Sequence, residues 1–487
     1  MIRSISIVLA LVVTMQGCSK KKENNDNEKD KNSKLLLLSL LITPWTQVIP
    51  SAPISSITIK SKTFNYSAQC SGQSASGTQN SQFYYFVRPG DSKKLLINFM
   101  GGGACWNLSN CFGTNTTTYF NSMSLLNATT MKFAFGSGVV DNMNIQNPLT
   151  GYTVIFIPYC TGDLHWGSND TIYNPATNTF TGNTNSGGIL HHRGFDNFLA
   201  VLTDLKKNYP SPTNVFITGQ SAGGYGAMFT APYIIEAMGG YGGATDYVLV
   251  SDASAGVAPS SNNTTVAPLW GITAGISKAG GSASNLPDWI SGITDSSFST
   301  LQVGQFFQRI AQNYPSLRIG QYSTIYDITQ SFFLNVSRIV RDNANFVYTD
   351  SATDSGTGKC ATLWGNANNV SGGNYSGCSA NVTPGLVNLW KNGGTDPTNS
   401  TTINGMITNV TTYTSGLSNY TYYIAPGPVH TISTNSNFYQ TTSSGTALTT
   451  WYSDLVNKKV PASVQCSVNC SCGSGTDSAK CAPSGSN

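Results

Sequence analysis

Charge is scarce in this chain of 487 residues. Asp, Glu, Lys and Arg together make up 10% of it, against roughly a quarter in an ordinary soluble protein. Positive charge is neither concentrated nor interleaved with aromatic residues, and the formal net charge is only +4. A nucleic-acid-binding face is therefore not expected. Histidine is rarer still, with four in the whole chain. None lies near the cysteines of the C-terminal tail, which argues against a zinc site there. Long apolar runs are also missing. Leu35–Ile42 is too short to span a bilayer and reads either as a segment packed on the domain or as one lying near a membrane surface. No internal repeat is evident. No cofactor or metal is called for.

Uncharged polar residues fill the gap. Asn, Ser, Thr, Gly and Tyr dominate, while 39% hydrophobic and 11% aromatic residues are enough to build a core. An uncharged polar surface over such a core suits an exported protein. The N-terminus reads the same way. Arg3 is followed by an apolar run from Ile5 to Val13, then Thr14-Met15-Gln16-Gly17-Cys18. This is a secretory signal whose end is similar to a bacterial lipoprotein cleavage site, with Cys18 as the lipidated residue and Met15 where Leu is usual; ordinary signal cleavage nearby is the alternative. The expected organisation is a signal peptide over 1–17, a lipidated cysteine and flexible tether over 18–50, and one domain over 51–487. The tether expectation rests on residues 19–34, which mix charges and carry no apolar residue. Eleven cysteines less Cys18 leave ten, an even number that suggests up to five disulfides in an oxidising compartment. By spacing, Cys105 and Cys111 could close a local loop, as could Cys360 and Cys378. Cys466, Cys470, Cys472 and Cys481 could form two bridges in the tail.

The chain is organised around residues 214–229, NVFITGQSAGGYGAMF. An apolar strand runs into Gly219-Gln220-Ser221-Ala222-Gly223, and a helix-compatible run follows. This is the G-x-S-x-G pattern of a nucleophile elbow, in which a sharp turn holds the serine hydroxyl clear of its backbone. The glycines allow close backbone approach, and the N–H of Ala222 can bind an oxyanion. The pentapeptide alone is weak evidence in a chain rich in Gly and Ser; its strand-turn-helix context gives it weight.

Other strands are expected at 82–87, 94–100, 152–159, 246–250, 316–325 and 420–425. Helices are expected after Gly194, on the spacing of Phe195, Phe198, Leu199, Leu202 and Leu205, and over 446–457. The order of strands and helices fits a doubly wound α/β sheet. Residues 257–300 read as a lid or cap, and 343–418 as a loop-rich insertion. Gly101-Gly102-Gly103 ends an apolar strand, where backbone N–H groups can turn inward as the second half of an oxyanion hole. A serine nucleophile needs a base, and in this architecture the chain order is Ser, acid, His. His430 alone follows Ser221. The acid should follow a strand between the two, which leaves Asp327 and Asp252; Asp327, after the later strand, is preferred, with Asp252 then structural near the elbow. His191 and His192 read as cap or surface residues.

At this point the sequence resembles the pectin acetylesterase/Notum family of carboxylesterases. The resemblance is carried by GGGACW at 101–106, IPYC at 157–160, GQSAGGYG at 219–226, SDAS at 251–254, Tyr326-Asp327 and His430. It implies an α/β-hydrolase with a mostly parallel central sheet flanked by helices, loop-rich insertions and disulfides. It implies Ser221 as nucleophile, Asp327 as acid and His430 as base, with the N–H groups of Gly103, Ala104 and Ala222 as the oxyanion hole. It also implies pairing of Cys105 with Cys111 and of Cys70 with Cys160. The family often carries Trp where Ala104 stands, which implies a wider acyl pocket here. The expected protein is a lipid-anchored, exported, monomeric serine carboxylesterase of the bacterial envelope. It would remove O-acyl groups, acetyl in the first place, from a polysaccharide or similar ester. The alternatives are a lipid-ester or polyester hydrolase, and a non-catalytic surface lipoprotein that binds or adheres.

Overall fold

The structure is a computed structural model. It describes residues 44–466 apart from 74–77, 79–80, 113–116, 125, 135, 174–186, 260–261, 276–282, 343–383 and 397–399. Cys18, the tether over 19–34, Leu35–Ile42, Cys360, Cys378 and the tail after Cys466 lie outside the described residues.

Among the described residues nine strands form one sheet. Numbered along the chain they are β1 (Thr46–Val48), β2 (Tyr85–Arg88), β3 (Asp91–Phe99), β4 (Tyr152–Ile157), β5 (Asn214–Gln220), β6 (Asp246–Asp252), β7 (Arg318–Thr324), β8 (Tyr420–Ala425) and β9 (Val464–Gln465). Their order across the sheet is β1-β2-β4-β3-β5-β6-β7-β8-β9. The pairs β1–β2 and β2–β4 are antiparallel. Every other neighbouring pair is parallel. The fold is thus α/β with a mostly parallel sheet, the α/β-hydrolase type that the sequence implied.

The central strands show why they sit where they do. All residues of β4 and β7 are buried, as are all but the first of β5 and β6. A strand covered on both faces must be apolar or internally satisfied throughout, which is the continuous pattern seen in YTVIFI. Each fully buried Ile, Val or Phe here contributes about 1.5–3 kcal/mol. The covering helices are α1 (Gly194–Asn208), α2 (Ala222–Ala237), α3 (Asn262–Trp270), α4 (Val303–Asn313), α5 (Ile328–Asp342) and α6 (Leu448–Val456). The spacing read after Gly194 is realised in α1, whose Phe195 and Phe198 pack on Tyr233 of α2. On another face, Trp451 of α6 lies where a side chain on Gly320 of β7 would stand.

The chain turns back on itself at β3. From β3 it moves outward to β4, then crosses over β3 through α1 to reach β5. Strand order reverses beside β3 and β5, and open α/β sheets bind ligands at such a switch point. The glycine loop leaves β3 and Ser221 leaves β5. These two strands pair in register, with Phe99 opposite Gly219.

Two expectations change. The domain boundary at residue 50 moves, because β1 lies before it and extends the sheet against β2. His191 and His192 are not cap or surface residues. They end a strand, Gly188–His192, that pairs with Asn169–Tyr173, and both are buried. The hairpin brings partners to both rings: Asp170 accepts from His191, while His192 bonds to the Tyr173 hydroxyl and the Thr161 carbonyl.

Two implied disulfides are present, Cys70–Cys160 and Cys105–Cys111. Cys466 is also disulfide-bonded.

Candidate active site

Ser221 joins β5 to α2 with φ 54° and ψ −123°. A non-glycine residue with positive φ is strained, by about 1–3 kcal/mol. Neighbouring groups fix it. The Ser221 N–H donates to the Asp252 carbonyl at 2.8 Å, and the Ser254 hydroxyl donates to the Ser221 carbonyl at 2.7 Å. A Cβ on Gly223 would stand 2.0 Å from the Phe99 carbonyl oxygen. Glycine is therefore required there for the elbow to seat against β3.

His430 lies in the loop after β8, and its side chain is 17% exposed. Its Nδ1 bonds to both Asp327 oxygens, at 2.8 and 3.0 Å. Asp327 follows β7 and is fully buried. Its Oδ1 also accepts from the Gln330 backbone N–H at 2.9 Å, and its Oδ2 from the Gln330 side-chain amide at 2.8 Å. Burial by itself would lower the His430 pKa. The adjacent Asp327 carboxylate, and more distantly that of Asp252, outweigh burial and leave it raised above 6.5. Nε2 of His430 is buried and has no hydrogen-bond partner among the described residues. His430 and Ser221 line the same cavity.

Asp252, the other candidate acid, is also fully buried but serves a different contact. Its Oδ2 accepts from the N–H groups of Ile432 and Ser433 and from the Ser433 hydroxyl, at 2.9, 2.8 and 2.6 Å. It thus anchors the backbone just past His430. Its other oxygen has no partner among the described residues. Burial raises its pKa. The structural role expected near the elbow is met by its backbone carbonyl, while the side chain holds the histidine loop.

The glycine loop is shaped by a short strand-like bridge to residues 118–120. The Phe120 N–H donates to the Gly102 carbonyl at 2.7 Å, and the Ala104 N–H to the Thr118 carbonyl at 3.1 Å. Ala104 is therefore corrected as an oxyanion donor, since its N–H is already committed to Thr118. Gly103 has φ +75°, and a Cβ there would stand 2.0 Å from the Thr118 oxygen. The N–H groups of Gly103 and Ala222 have no backbone partner among the described residues. Both residues line the cavity beside Ser221.

Residues 54–254 match the Pectinacetylesterase family. The match bears out the resemblance and supports an esterase-type hydrolase. The matched segment holds the elbow, the glycine loop and Asp252, and it ends before Asp327 and His430. No curated protein matches the chain. Among solved structures, the chain is similar to the Wnt deacylase Notum from Drosophila, at 13% identity and a TM-score of 0.46, over 85% of this chain and 97% of that one.

The cavity was only partly legible in advance. Its volume is about 110 Å³, several times what one water needs. Trp106, Trp166, Val257, Val266, Trp270 and Leu301 line it. The segment over 257–300 contributes Val257, Val266 and Trp270 to its lining. Trp270 donates from its indole N–H to the Cys105 carbonyl at 3.0 Å, tying that segment to the glycine loop. Leu164 and Trp166 come from the loop after β4. There Leu164 and His165 both have positive φ, and the buried Asp163 carboxylate accepts from the N–H groups of His165, Gly167 and Gly194. The polar character of residues 160–167 pointed to a ligand loop. It did not show that the polar groups turn inward to hold an apolar wall.

Proposed function

We propose that the protein is a serine carboxylesterase that removes O-acyl groups, acetyl in the first place, from a polysaccharide or similar ester. The observation that carries this reading is the Asp327–His430 pair, whose unpartnered Nε2 lines one cavity with a serine on a strained elbow. Ser221 Oγ attacks the ester carbonyl carbon and gives its proton to His430 Nε2. Asp327 holds the ring with Nδ1–H toward itself and stabilises the imidazolium. The N–H groups of Gly103 and Ala222 meet the negative oxygen. Collapse breaks the bond to the alcohol, which leaves with the proton from Nε2. Water then attacks the acyl-enzyme, passing a proton to His430, and the carboxylic acid departs as Ser221 regains its own.

A lipid-ester substrate is the second reading, favoured by the aromatic and aliphatic lining of the cavity and by Ala104 on its wall. Export, with a lipid on Cys18 and one envelope-facing domain acting as a monomer, is part of the same proposal. Disulfides such as Cys70–Cys160 and Cys105–Cys111 suit an oxidising compartment.

The test is hydrolysis of p-nitrophenyl acetate by the full chain and by Ser221→Ala. We expect a loss of about 10³-fold or more in kcat. Equal turnover by the two proteins would remove Ser221 from the mechanism, and no turnover by either would favour a binding module.

A further inference from the structure

Gln330 is the third residue of α5. The pattern Asp327-Ile328-Thr329-Gln330 is that of a capping box, in which the last side chain returns to the backbone N–H of the first residue. Here the amide is spent elsewhere. Its Oε1 accepts from the Ala255 backbone N–H at 2.8 Å. Its Nε2 donates to Asp327 Oδ2 at 2.8 Å and to the Ser323 hydroxyl at 3.2 Å. Gln330 is only 8% exposed, so little water competes for these bonds. The amide has one sense only: turned over, its NH2 would meet the Ala255 N–H and its oxygen the Asp327 carboxylate. The far end of this bridge lies in the segment after β6 that holds the nucleophile. The Asp252 carbonyl accepts from the Ser221 N–H, and the Ser254 hydroxyl donates to the Ser221 carbonyl. The next residue is Ala255.

Resting on the esterase reading above, we propose that Gln330 is a positioning residue, which holds the Asp327–His430 pair in register with Ser221 by bridging the acid to the segment that grips the serine. It acts through Asp327 and takes no part in bond making. Ser221, Asp327 and His430 follow three different strands, β5, β7 and β8, so their spacing depends on such cross-links. The bridge also acts through charge. Its Nε2–H bond draws on part of the Asp327 negative charge. Without that donor, more of the charge faces His430 Nδ1, and the imidazole holds its proton more tightly. The other carboxylate acting on the ring is that of Asp252, whose bonds to Ile432 and Ser433 do not involve Gln330.

The experiment measures kcat, KM and the pH dependence of kcat/KM on p-nitrophenyl acetate for the full chain, Gln330→Met and Gln330→Asn. Met has a similar volume and no N–H to donate. Asn is one carbon shorter and cannot reach Ala255 and Asp327 together. For Gln330→Met we expect kcat to fall about 10- to 100-fold with KM within about threefold, and the pH midpoint to rise by about half a unit to one unit. Gln330→Asn should lose about tenfold in kcat, and it decides alone should the Met variant not fold. Ser331→Ala is the structural control. The Ser331 hydroxyl donates to the Asp327 backbone carbonyl at 2.8 Å, so its loss should lower stability and leave the midpoint where it was. A kcat within about threefold of the unaltered chain, in Gln330→Met or, failing that, in Gln330→Asn, would overturn the role and leave the esterase standing. So would a midpoint that stays or falls in folded Gln330→Met, or one that Ser331→Ala raises equally. Absence of turnover by the unaltered chain would refute the esterase reading and this role with it.

Discussion

Replacing Asp327 by Asn separates the two buried carboxylates by their bonds. Both oxygens of Asp327 accept hydrogen bonds, from His430 Nδ1 and from the backbone and side-chain N–H groups of Gln330. An amide has one acceptor oxygen, so Asn must set its NH2 against a donor. If it faces Gln330, a buried donor loses its partner, at about 1–3 kcal/mol. If it faces His430, Nδ1 becomes the acceptor and the proton moves to Nε2, which can then no longer take one from Ser221. We expect kcat to fall about 10³- to 10⁴-fold, equivalent to about 4–5.5 kcal/mol of transition-state stabilisation. Asp252 behaves differently. Among the described residues its three bonds all reach Oδ2, and Oδ1 has none. Asn at 252 can keep its oxygen on the Ile432–Ser433 backbone, so kcat should drop less than about tenfold, whereas Asp252→Ala strands three donors and should disorder the loop. The assay is kcat on p-nitrophenyl acetate, with circular dichroism to verify folding. A folded Asp327→Asn enzyme within tenfold of the unaltered protein would refute the reasoning, as would a larger loss in Asp252→Asn than in Asp327→Asn.

Further outcomes are expected. The base must be neutral to act, and Asp327 raises the His430 pKa, so kcat/KM should rise with pH through a midpoint above 6.5, measurable by a pH profile of initial rates. The same shift has a stability sign: the Asp327–His430⁺ contribution is fully present below about 6.5, the unfolded value, and is lost as pH rises through the higher folded value, which urea unfolding across that window should reveal. Gly103→Ala drives a Cβ toward the Thr118 oxygen, so kcat should fall about 10²- to 10³-fold as the oxyanion donor is displaced; turnover within threefold would remove Gly103 from the hole. Cys70–Cys160 spans 90 residues of chain and Cys105–Cys111 only 6, so loop entropy predicts a loss of about 4–5 kcal/mol for Cys160→Ser and about 2 kcal/mol for Cys111→Ser in denaturant titrations. Equal losses would contradict that account.

The features legible in the chain are local ones. The apolar run of β4, the helical spacing after Gly194 and the elbow around Ser221 are each set by a few consecutive residues, because strand burial, helix amphipathicity and a tight turn depend on near neighbours. Chain order alone singled out His430. The short strands were harder: Thr46–Val48 and Val464–Gln465 have no pattern of their own and exist only because the edges of the sheet accept them. The hairpin that buries His191 and His192 was hidden for the same reason, since its pairing spans a long separation in the chain.

Which aspartate meets the imidazole is set by the packed fold. Asp252 and Asp327 both lie at or just past strand ends, and the path of residues 426–433 brings His430 Nδ1 to Asp327 and the following backbone to Asp252. It also decided that Ala104 spends its N–H on Thr118, a bond between segments 14 residues apart in number, and that Ser221 and His430 line one cavity. Such features depend on hydrogen bonds and packing between distant segments, and a residue's near neighbours in the chain carry no record of them.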